Sequence, residues 1–392
     1  METPQIELLA PAGDLNRART AFYFGADAIY LAGKAFGLRA RAVNFTTPEM
    51  QEIIDYAHQH HKKVYVTVNI FARNADFPDL IKYAQTLDQL GVDAVIVADL
   101  GVLQIFKTHT KIPVHISTQA NICNAYTAQQ YVALGASRVI LARELNIKDI
   151  KEICAALRGK AEVEVFVHGA MCMAYSGRCL LSCGMTGRSA NRGDCAQPCR
   201  YQYALQEAKR PGEYYPIESD QYGTYILNSR DLCLIDHLDE LVAAGVTSFK
   251  IEGRMKSEYY VAGVVNTYRH ALDGKPLDYH AELAKIPHRP YTTGFTFDPV
   301  PTQYATRAGA EQTYEFAALV KTPTSVIIKN KICPGDTLEI LSPTASNGKT
   351  FTWQAPTAPT PESEITISCP YPLQPNDILR QPVRSTPTTA RT

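Results

Sequence analysis

Over roughly the first 270 residues, short apolar, β-branched runs alternate with amphipathic helical patterns. The first runs are IELLAPAG from Ile6, AIYLAG from Ala28, KVYVTVN from Lys63 and AVIVAD from Ala94. PVHISTQ from Pro113, RVILAR from Arg138, VEVFVHG from Val163 and SFKIEG from Ser248 bring the set to eight. Each is nearly continuous in apolar residues, as a strand covered on both faces requires. A helical pattern follows each run. The first opens on Asp14 as its N-cap. The second, TTPEMQEIIDYAHQH, takes Thr47 as cap and Pro48 as its first helical residue. Further patterns lie near residues 77–90, 100–109, 125–134, 147–157, 232–244 and 258–272. FGAD, LGVD, LGAS and AGVT each end a helix on glycine and start the next strand.

Eight such units predict an α/β fold, a TIM-like (β/α)8 barrel over residues 1–285. The alternative is a doubly wound open sheet. That fold usually carries a glycine-rich phosphate loop after its first strand, and APAGD is not one. The seventh and eighth runs begin about 85 residues apart. The gap holds an insertion at about 169–230, which would emerge at the C-terminal mouth where active sites of barrels lie. After about Lys285 helical periodicity stops. EFAALV, TSVIIKN, DTLEIL, KTFTWQ and SEITIS are separated by the turn signals CPGD, SNG and QPND. They predict a small all-β, barrel-like domain over 286–392, ending in a frayed tail, RSTPTTART.

Charge changes the picture little: 39 basic residues balance 39 acidic ones, so nothing pulls the whole chain toward nucleic acid or membrane. METPQIELLAPAGD lacks the basic and apolar regions of a signal peptide, and no run of about 18 apolar residues occurs. The expected compartment is the cytoplasm. There clustered cysteines serve metal binding or catalysis rather than disulfides.

Five of the ten cysteines fall in HGAMCMAYSGRCLLSCGMTGRSANRGDCAQPCR, residues 168–200. The spacing is Cys172-x6-Cys179-x3-Cys183-x11-Cys195-x3-Cys199. Three readings stand: an iron–sulfur cluster, a zinc site, or unligated thiols. Wide, irregular spacing suits a loop wrapped around a cluster, and Gly177, Gly184, Gly187 and Gly193 allow close backbone approach. Only the x3 steps resemble zinc knuckles. The radical-SAM spacing fails at Thr186, and no Cys-x-x-Cys occurs. The scattered Cys123, Cys154, Cys333 and Cys369 read as ordinary core thiols. Cys233 reads differently. It falls off the apolar face Leu234, Ile235, Leu238, Leu241 and Val242, in the first turn of the predicted helix. A helix N-terminus stabilises a thiolate there, so Cys233 completes a four-thiol set as well as Cys199 does.

Strand ends place Asn69, Gln119, Arg143, His168, Lys250, Glu252 and Arg254 at the mouth, with Arg39 and Arg41 in the loop after the second strand. Lys250, Glu252 and Arg254 alternate along one strand face, which implies a mutual network or an anionic ligand. Arg178, Arg188, Arg192 and Arg200 outnumber the single acid Asp194 in the insertion, as a phosphate contact or a solvated loop would. In the β-domain, Tyr291, Phe295, Phe297 and Trp353 are stacking or core residues. Neither HExxH nor GxSxG occurs, so peptidase chemistry would need a Cys–His pair such as Cys172 with His168.

EVFVHGAMCMAYSGRCLLS, GLRARAVNFT, KVYVTVNIFARNAD, NSRDLCLIDHLDELVAAGVTSFKIEGRMKSEYYVAGVVNTYR and HRPYTTGF together resemble the collagenase-like peptidase family U32. The trailing β-domain makes the chain most similar to members that hydroxylate the tRNA wobble uridine to 5-hydroxyuridine. That resemblance implies a 4Fe–4S cluster, prephenate as co-substrate, tRNA as partner and no requirement for molecular oxygen. Similar proteins act on ribosomal RNA cytidine or on the ubiquinone ring, and the peptidase label is the older one. By position, the resemblance implies Cys172, Cys179 and Cys195 as cluster ligands, with Cys199 or Cys233 as the fourth. Cys183 is an addition to the pattern. His168, Lys250, Glu252 and Arg254 are then expected to be catalytic, and Arg41, Asn69 and Arg143 to bind the cofactor. Prephenate is a dicarboxylate, which arginine suits. No membrane contact is expected, and the sequence does not set an oligomeric state.

Overall fold

The computed structural model describes residues 6–38, 43–172, 174–200, 219–220, 223–224, 230–298, 311–354 and 359–384. The eight apolar runs form eight parallel strands. They are β1 (Glu7–Pro11), β2 (Ala28–Leu31), β3 (Lys63–Val68), β4 (Ala94–Val97), β5 (Val114–Ile116), β6 (Arg138–Ile140), β7 (Glu162–Ala170) and β8 (Ser248–Ile251). Each pairs with the next along the sheet. Leu8 opposite Phe249 and Lys250 opposite Phe166 join β8 to both β1 and β7, so the sheet closes into a TIM-like barrel. Burial on both faces explains the apolar runs: β2 and β4 expose no residue.

Helices fill the connections, and their starts follow capping chemistry. Asp14 Oδ1 accepts the Arg17 N–H at 2.9 Å before helix Leu15–Tyr23. Helix Thr47–Gln59 is capped by Thr46 rather than Thr47. The reason is Glu49, which stands three residues after Thr46. Its Oε2 accepts the Thr46 N–H at 2.7 Å while Thr46 Oγ1 accepts the Glu49 N–H at 3.4 Å. The helix expected at 232–244 begins later, at Leu238. Residues Asp231–Cys233 are instead drawn into a short strand antiparallel to the end of β7, with Leu232 opposite Gly169 and Cys233 opposite His168. Tyr291–Thr292 adds on its far side. Cys233 is therefore a buried strand residue, not part of a helical first turn.

Charged groups occupy the N-terminal half of the barrel interior. Arg138 donates from Nε to Glu162 at 2.8 Å and from Nη1 to Glu164 at 2.9 Å, and also pairs with Glu7. Lys250 Nζ meets the other oxygen of Glu164 at 2.7 Å. Tyr65 and Ser248 donate to Glu7 at 2.6 and 2.9 Å. His115 lies edge-on to Tyr65, at 4.8 Å between ring centroids. Burial first, and then the Arg138, Lys250 and Lys63 cations, hold its pKa well below the ordinary histidine value, so the ring is neutral.

The chain divides into two compact units. The barrel, with residues from Arg289 onward to 298, belongs to the first. Helix Glu258–Leu272 belongs to the second, together with helix Tyr279–Ala284 and the C-terminal strands. Those strands form a six-stranded antiparallel half-barrel sheet. Five were expected. The sixth, Ile378–Pro382, lies centrally between Thr337–Leu341 and Tyr314–Thr322. Its polar middle is explained by Arg380, which is fully buried and pairs with Glu282 at 2.6 Å and with Glu339. Trp353 packs in this unit's apolar core, so it is not a stacking platform. Tyr291, Phe295 and Phe297 fall in the first unit rather than the β-domain, and Phe297 stacks on His237 at 3.9 Å. Among the described residues no helix is long and apolar enough to cross a membrane.

Burial raises the Glu7 pKa, but Arg138 and the hydroxyls of Tyr65 and Ser248 outweigh it, so the net shift is downward. A depressed carboxylate adds stability that is full above the ordinary glutamate range and is lost as pH falls through the folded value. Arg138→Ala leaves Glu7 buried without its cation. We expect it to cost about 3–5 kcal/mol in urea unfolding at neutral pH. The deficit should shrink as pH falls, because protonation of Glu7 relieves the unpaired buried charge. An unchanged midpoint with an unchanged acid limb refutes the network's role.

Candidate functional site

The C-terminal ends of the strands surround a cavity of about 410 Å³. Tyr30, Ile96, Ile140 and Lys250, one from each even-numbered strand, line it along with Phe166 from β7. Alternate strands contribute one layer of inward side chains in such a barrel, and this layer borders the cavity. Lys250 belongs to both regions. Its Nζ is tied to Glu164 and lies 4.3 Å from the Tyr30 ring centroid, so it is a paired cation at the cavity's edge.

A shelf of uncharged polar groups follows β3 and β5. Asn69 Oδ1 accepts the Leu38 N–H at 3.2 Å. Its Nδ2 donates to Ser117 Oγ at 3.2 Å and to Gln119 Oε1 at 3.1 Å. Ser117 Oγ also donates to Gln119 Oε1. Alternation at the end of β3 sends Thr67 and Asn69 to the same side, whereas a 3-10 turn over Thr118–Ala120 brings Gln119 back beside Ser117. Thr67, Asn69, Ser117 and Gln119 all line the cavity.

Charge enters from three directions. Glu252 and Arg254 lie beyond the end of β8 at Ile251, in the loop rather than on the strand face, yet both line the cavity with Lys250. Arg254 donates from Nη2 to Leu38 O. The Glu252 carboxylate receives the Tyr30 hydroxyl at 3.5 Å. Arg143 donates from Nη1 to Ala170 O and from Nη2 to Ser176 Oγ, both at 2.9 Å, and its guanidinium lies 5.2 Å from the Phe166 ring centroid. Burial works against that cation, but Cys172, Glu252 and Glu144 together raise its pKa above the ordinary arginine value. A permanent positive charge thus stands beside the Cys172 sulfur.

The cysteine segment supplies the remaining wall. Cys172, Cys179, Cys195 and Cys199 line the cavity; Cys183 and Cys233 do not. Cys183 is exposed on the short helix Leu181–Thr186. Among the described residues no three His, Cys, Asp or Glu side chains converge tightly enough for a single metal ion. By donor type, four thiols in one wall fit an iron–sulfur cluster, as they would fit a four-cysteine zinc site. The segment is fastened at several points. Asn121 Nδ2 donates to Ser176 O at 2.8 Å, and Arg192 Nη1 donates to Phe71 O at 2.9 Å and Asp76 at 3.0 Å. Ser182 Oγ accepts the Ala196 N–H at 3.0 Å, which joins the short helix to the strand of chain carrying Cys195. Gly177 and Gly193 line the cavity, Gly177 packing against Phe71 and Gln119, while Gly184 and Gly187 face open space.

Some expected site residues lie elsewhere. His168 is buried on β7, with its ring 5.5 Å from Tyr291, and is not part of the cavity wall. Arg39 and Arg41 lie outside the described residues. Of the arginines offered to phosphates, Arg188 pairs with Asp194 at 2.9 Å and Arg192 with Asp76, while Arg178 is exposed. Tyr30, Thr67, Ser117, Tyr175 and Ser176 line the cavity without having been singled out. Alternation in YVTVN carried the signal for Thr67, because Asn69 already marked that face; HISTQ carried none for Ser117, since the chain enters a 3-10 turn at Thr118.

The chain is similar to tRNA hydroxylation protein P of Escherichia coli, with 38% identity over 391 residues and 86% of each chain covered. It is 39% identical over 269 residues to the 23S rRNA 5-hydroxycytidine C2501 synthase of E. coli, covering 69% of this chain and 39% of that protein. A collagenase of Porphyromonas gingivalis is 33% identical over 283 residues, covering 70% and 67%. Peptidase family U32 matches residues 13–305, most of the chain, including seven of the eight barrel strands and the cysteine segment. The chain belongs to that family.

Proposed function

We propose that this protein is an RNA-hydroxylating enzyme that acts at the barrel mouth, converting the tRNA wobble uridine to 5-hydroxyuridine with prephenate as co-substrate. One observation carries the reading: four thiols, three cations and an uncharged hydrogen-bonding shelf border a single cavity. Similarity to tRNA hydroxylation protein P over 86% of both chains supports tRNA as the partner. The place of action is then the cytoplasm, with no membrane involved.

Cys172, Cys179 and Cys195 would hold a 4Fe–4S cluster, with either Cys199 or Cys233 as the fourth ligand. Cys199 is favoured by its place in the wall, and Cys233 by its strand position beside His168 at the end of β7. When bound, a cluster supplies one-electron transfer. The chain's own residues have separate tasks. Arg143 lays a fixed positive charge against Cys172 and holds the turn at Ser176. Arg254 is the cation best placed for a carboxylate of the co-substrate, because Lys250 is already neutralised by Glu164. Peptide hydrolysis by a Cys–His pair has less support: among the described residues no histidine belongs to the cavity wall.

Two measurements test this. Transfer RNA from a strain lacking the gene, digested and read by mass spectrometry, should lack 5-hydroxyuridine-derived wobble modifications, and a plasmid copy should restore them. Intact tRNA together with a missing hydroxyl in ribosomal RNA or quinone would move the function to that substrate.

Anaerobically purified protein should be brown, with about four iron and four sulfide per chain. Cys172→Ala, Cys179→Ala and Cys195→Ala should each abolish iron retention, whereas Cys154→Ala should not. The fourth ligand is whichever of Cys199→Ala and Cys233→Ala loses iron. Full iron content in both variants rejects the proposed ligand set, and stoichiometric zinc from iron-replete cells rejects the cluster.

A further inference from the structure

The orientation of the Gln119 amide follows from one backbone group. The Leu38 N–H can only donate, so the Asn69 atom it meets at 3.2 Å is Oδ1. Asn69 Nδ2 then faces Ser117 and Gln119, and because it too can only donate, the Gln119 atom 3.1 Å away is Oε1. The Ser117 hydroxyl accepts from Asn69 and passes its own proton to the same Oε1. Gln119 Nε2 keeps two N–H donors with no partner among the described residues, on a side chain that lines the cavity.

Tyr175 stands on the same wall. It lines the cavity yet remains 51% exposed, so its ring reaches from the interior to solvent. Its turn is held firmly: Ser176 is bound through its carbonyl by Asn121 and through its hydroxyl by Arg143. Gly177 has φ of 73°, and a Cβ there would come within 2.9 Å of Phe71 and 3.0 Å of Gln119 O. The turn that displays Tyr175 therefore packs directly on Gln119.

We infer that Gln119 is a specificity-determining residue that reads the C4 carbonyl of an extruded uracil, with Tyr175 as the stacking surface at the cavity lip. The inference rests on the RNA-hydroxylation reading above and assigns the residue that recognises its base. Enzymes that modify a base take it from the stack into a pocket and read its edge by hydrogen bonds and stacking. In an unpaired loop that extraction costs little. Uracil presents an acceptor at C4, which one of the two N–H donors meets. Cytosine presents an amino group there, so N–H would face N–H and that donor would lose its partner. A carboxylate would also accept from Nε2, but Arg143 and Arg254 line the same cavity and attract an anion more strongly than a neutral amide does.

The test uses the full chain and two stem-loop RNAs, identical except for U or C at the target position. Gln119→Glu keeps an acceptor for Asn69 and Ser117 but replaces the cavity-facing N–H donors with an oxygen. Gln119→Ala removes the group altogether. Binding is read by fluorescence anisotropy and hydroxylation by mass spectrometry. Wild type should favour the U loop by about 10- to 100-fold. Gln119→Ala should lower U-loop affinity to that of the C loop, and Gln119→Glu should erase or invert the preference, with melting temperatures unchanged. An unchanged U-to-C ratio in both variants overturns the inference. So does weakened prephenate affinity with the ratio preserved, since the amide would then serve the co-substrate. If wild type hydroxylates neither RNA but its binding preference disappears in Gln119→Glu, base reading stands and the hydroxylation reading falls. If wild type binds neither loop, both fall.

Discussion

A closed eight-stranded barrel leaves no room for bulk water along its axis, so every inward group must be packed or paired. This constraint organises the first unit. The N-terminal half of the interior meets it with ions: Arg138 and Lys250 share Glu164, and Arg138 also pairs with Glu7 and with the half-exposed Glu162. Such a network adds little net stability over an apolar filling, but breaking it is expensive. Its consequence for the mouth is positional. Lys250 is drawn inward to Glu164, so its ammonium borders the cavity without being a loose charge in it.

The cysteine segment meets a second constraint. It has little regular structure of its own beyond Leu181–Thr186 and short 3-10 turns, so its shape comes from what it is tied to. The ties come from different barrel loops: Asn121 after β5, Arg143 after β6, and Asp76 with Phe71 after β3. Arg143 is central because it holds both ends of a short stretch, at Ala170 and Ser176, with Cys172 between them. Arg143 thus shares with Asn121 the task of holding the backbone around that thiol.

The barrel was legible because burial on both strand faces writes itself as apolar runs, and because caps and glycine stops mark each helix. Legibility failed where a polar group is buried and paired. Arg380 sits at the centre of the β-unit's sheet, and its strand reads as a loop until Glu282 and Glu339 are seen beside it. Cys233 failed for a related reason: the apolar periodicity of Leu234, Ile235 and Leu238 is that of a helix, whereas the preceding residues are claimed by β7. In the site, Asn69, Gln119, Arg143, Lys250, Glu252 and Arg254 were recognisable from strand-end position, and all line the cavity. Their partners were not, since Glu164 or Leu38 becomes a partner only through tertiary distance. The arginine excess of the insertion misled in part. Arg188 and Arg192 are engaged with Asp194 and Asp76, one local and one more than a hundred residues away.

The cavity's charged and uncharged parts are mechanically joined. Arg254, from the loop after β8, donates to the carbonyl of Leu38. The amide of the same residue donates to Asn69, which orients Gln119. One backbone segment after β2 therefore transmits the position of a cation to the direction of a neutral amide. Each link is a donor meeting an acceptor with a fixed role, so no link can be reversed without leaving a polar group unmatched. A loop change that moved Leu38 would disturb the two ends together, the arginine suited to a carboxylate and the amide suited to a carbonyl. In a barrel whose chemistry is set by its loops, this coupling explains why the residues that furnish the mouth come from separate strands yet must be fixed as one set.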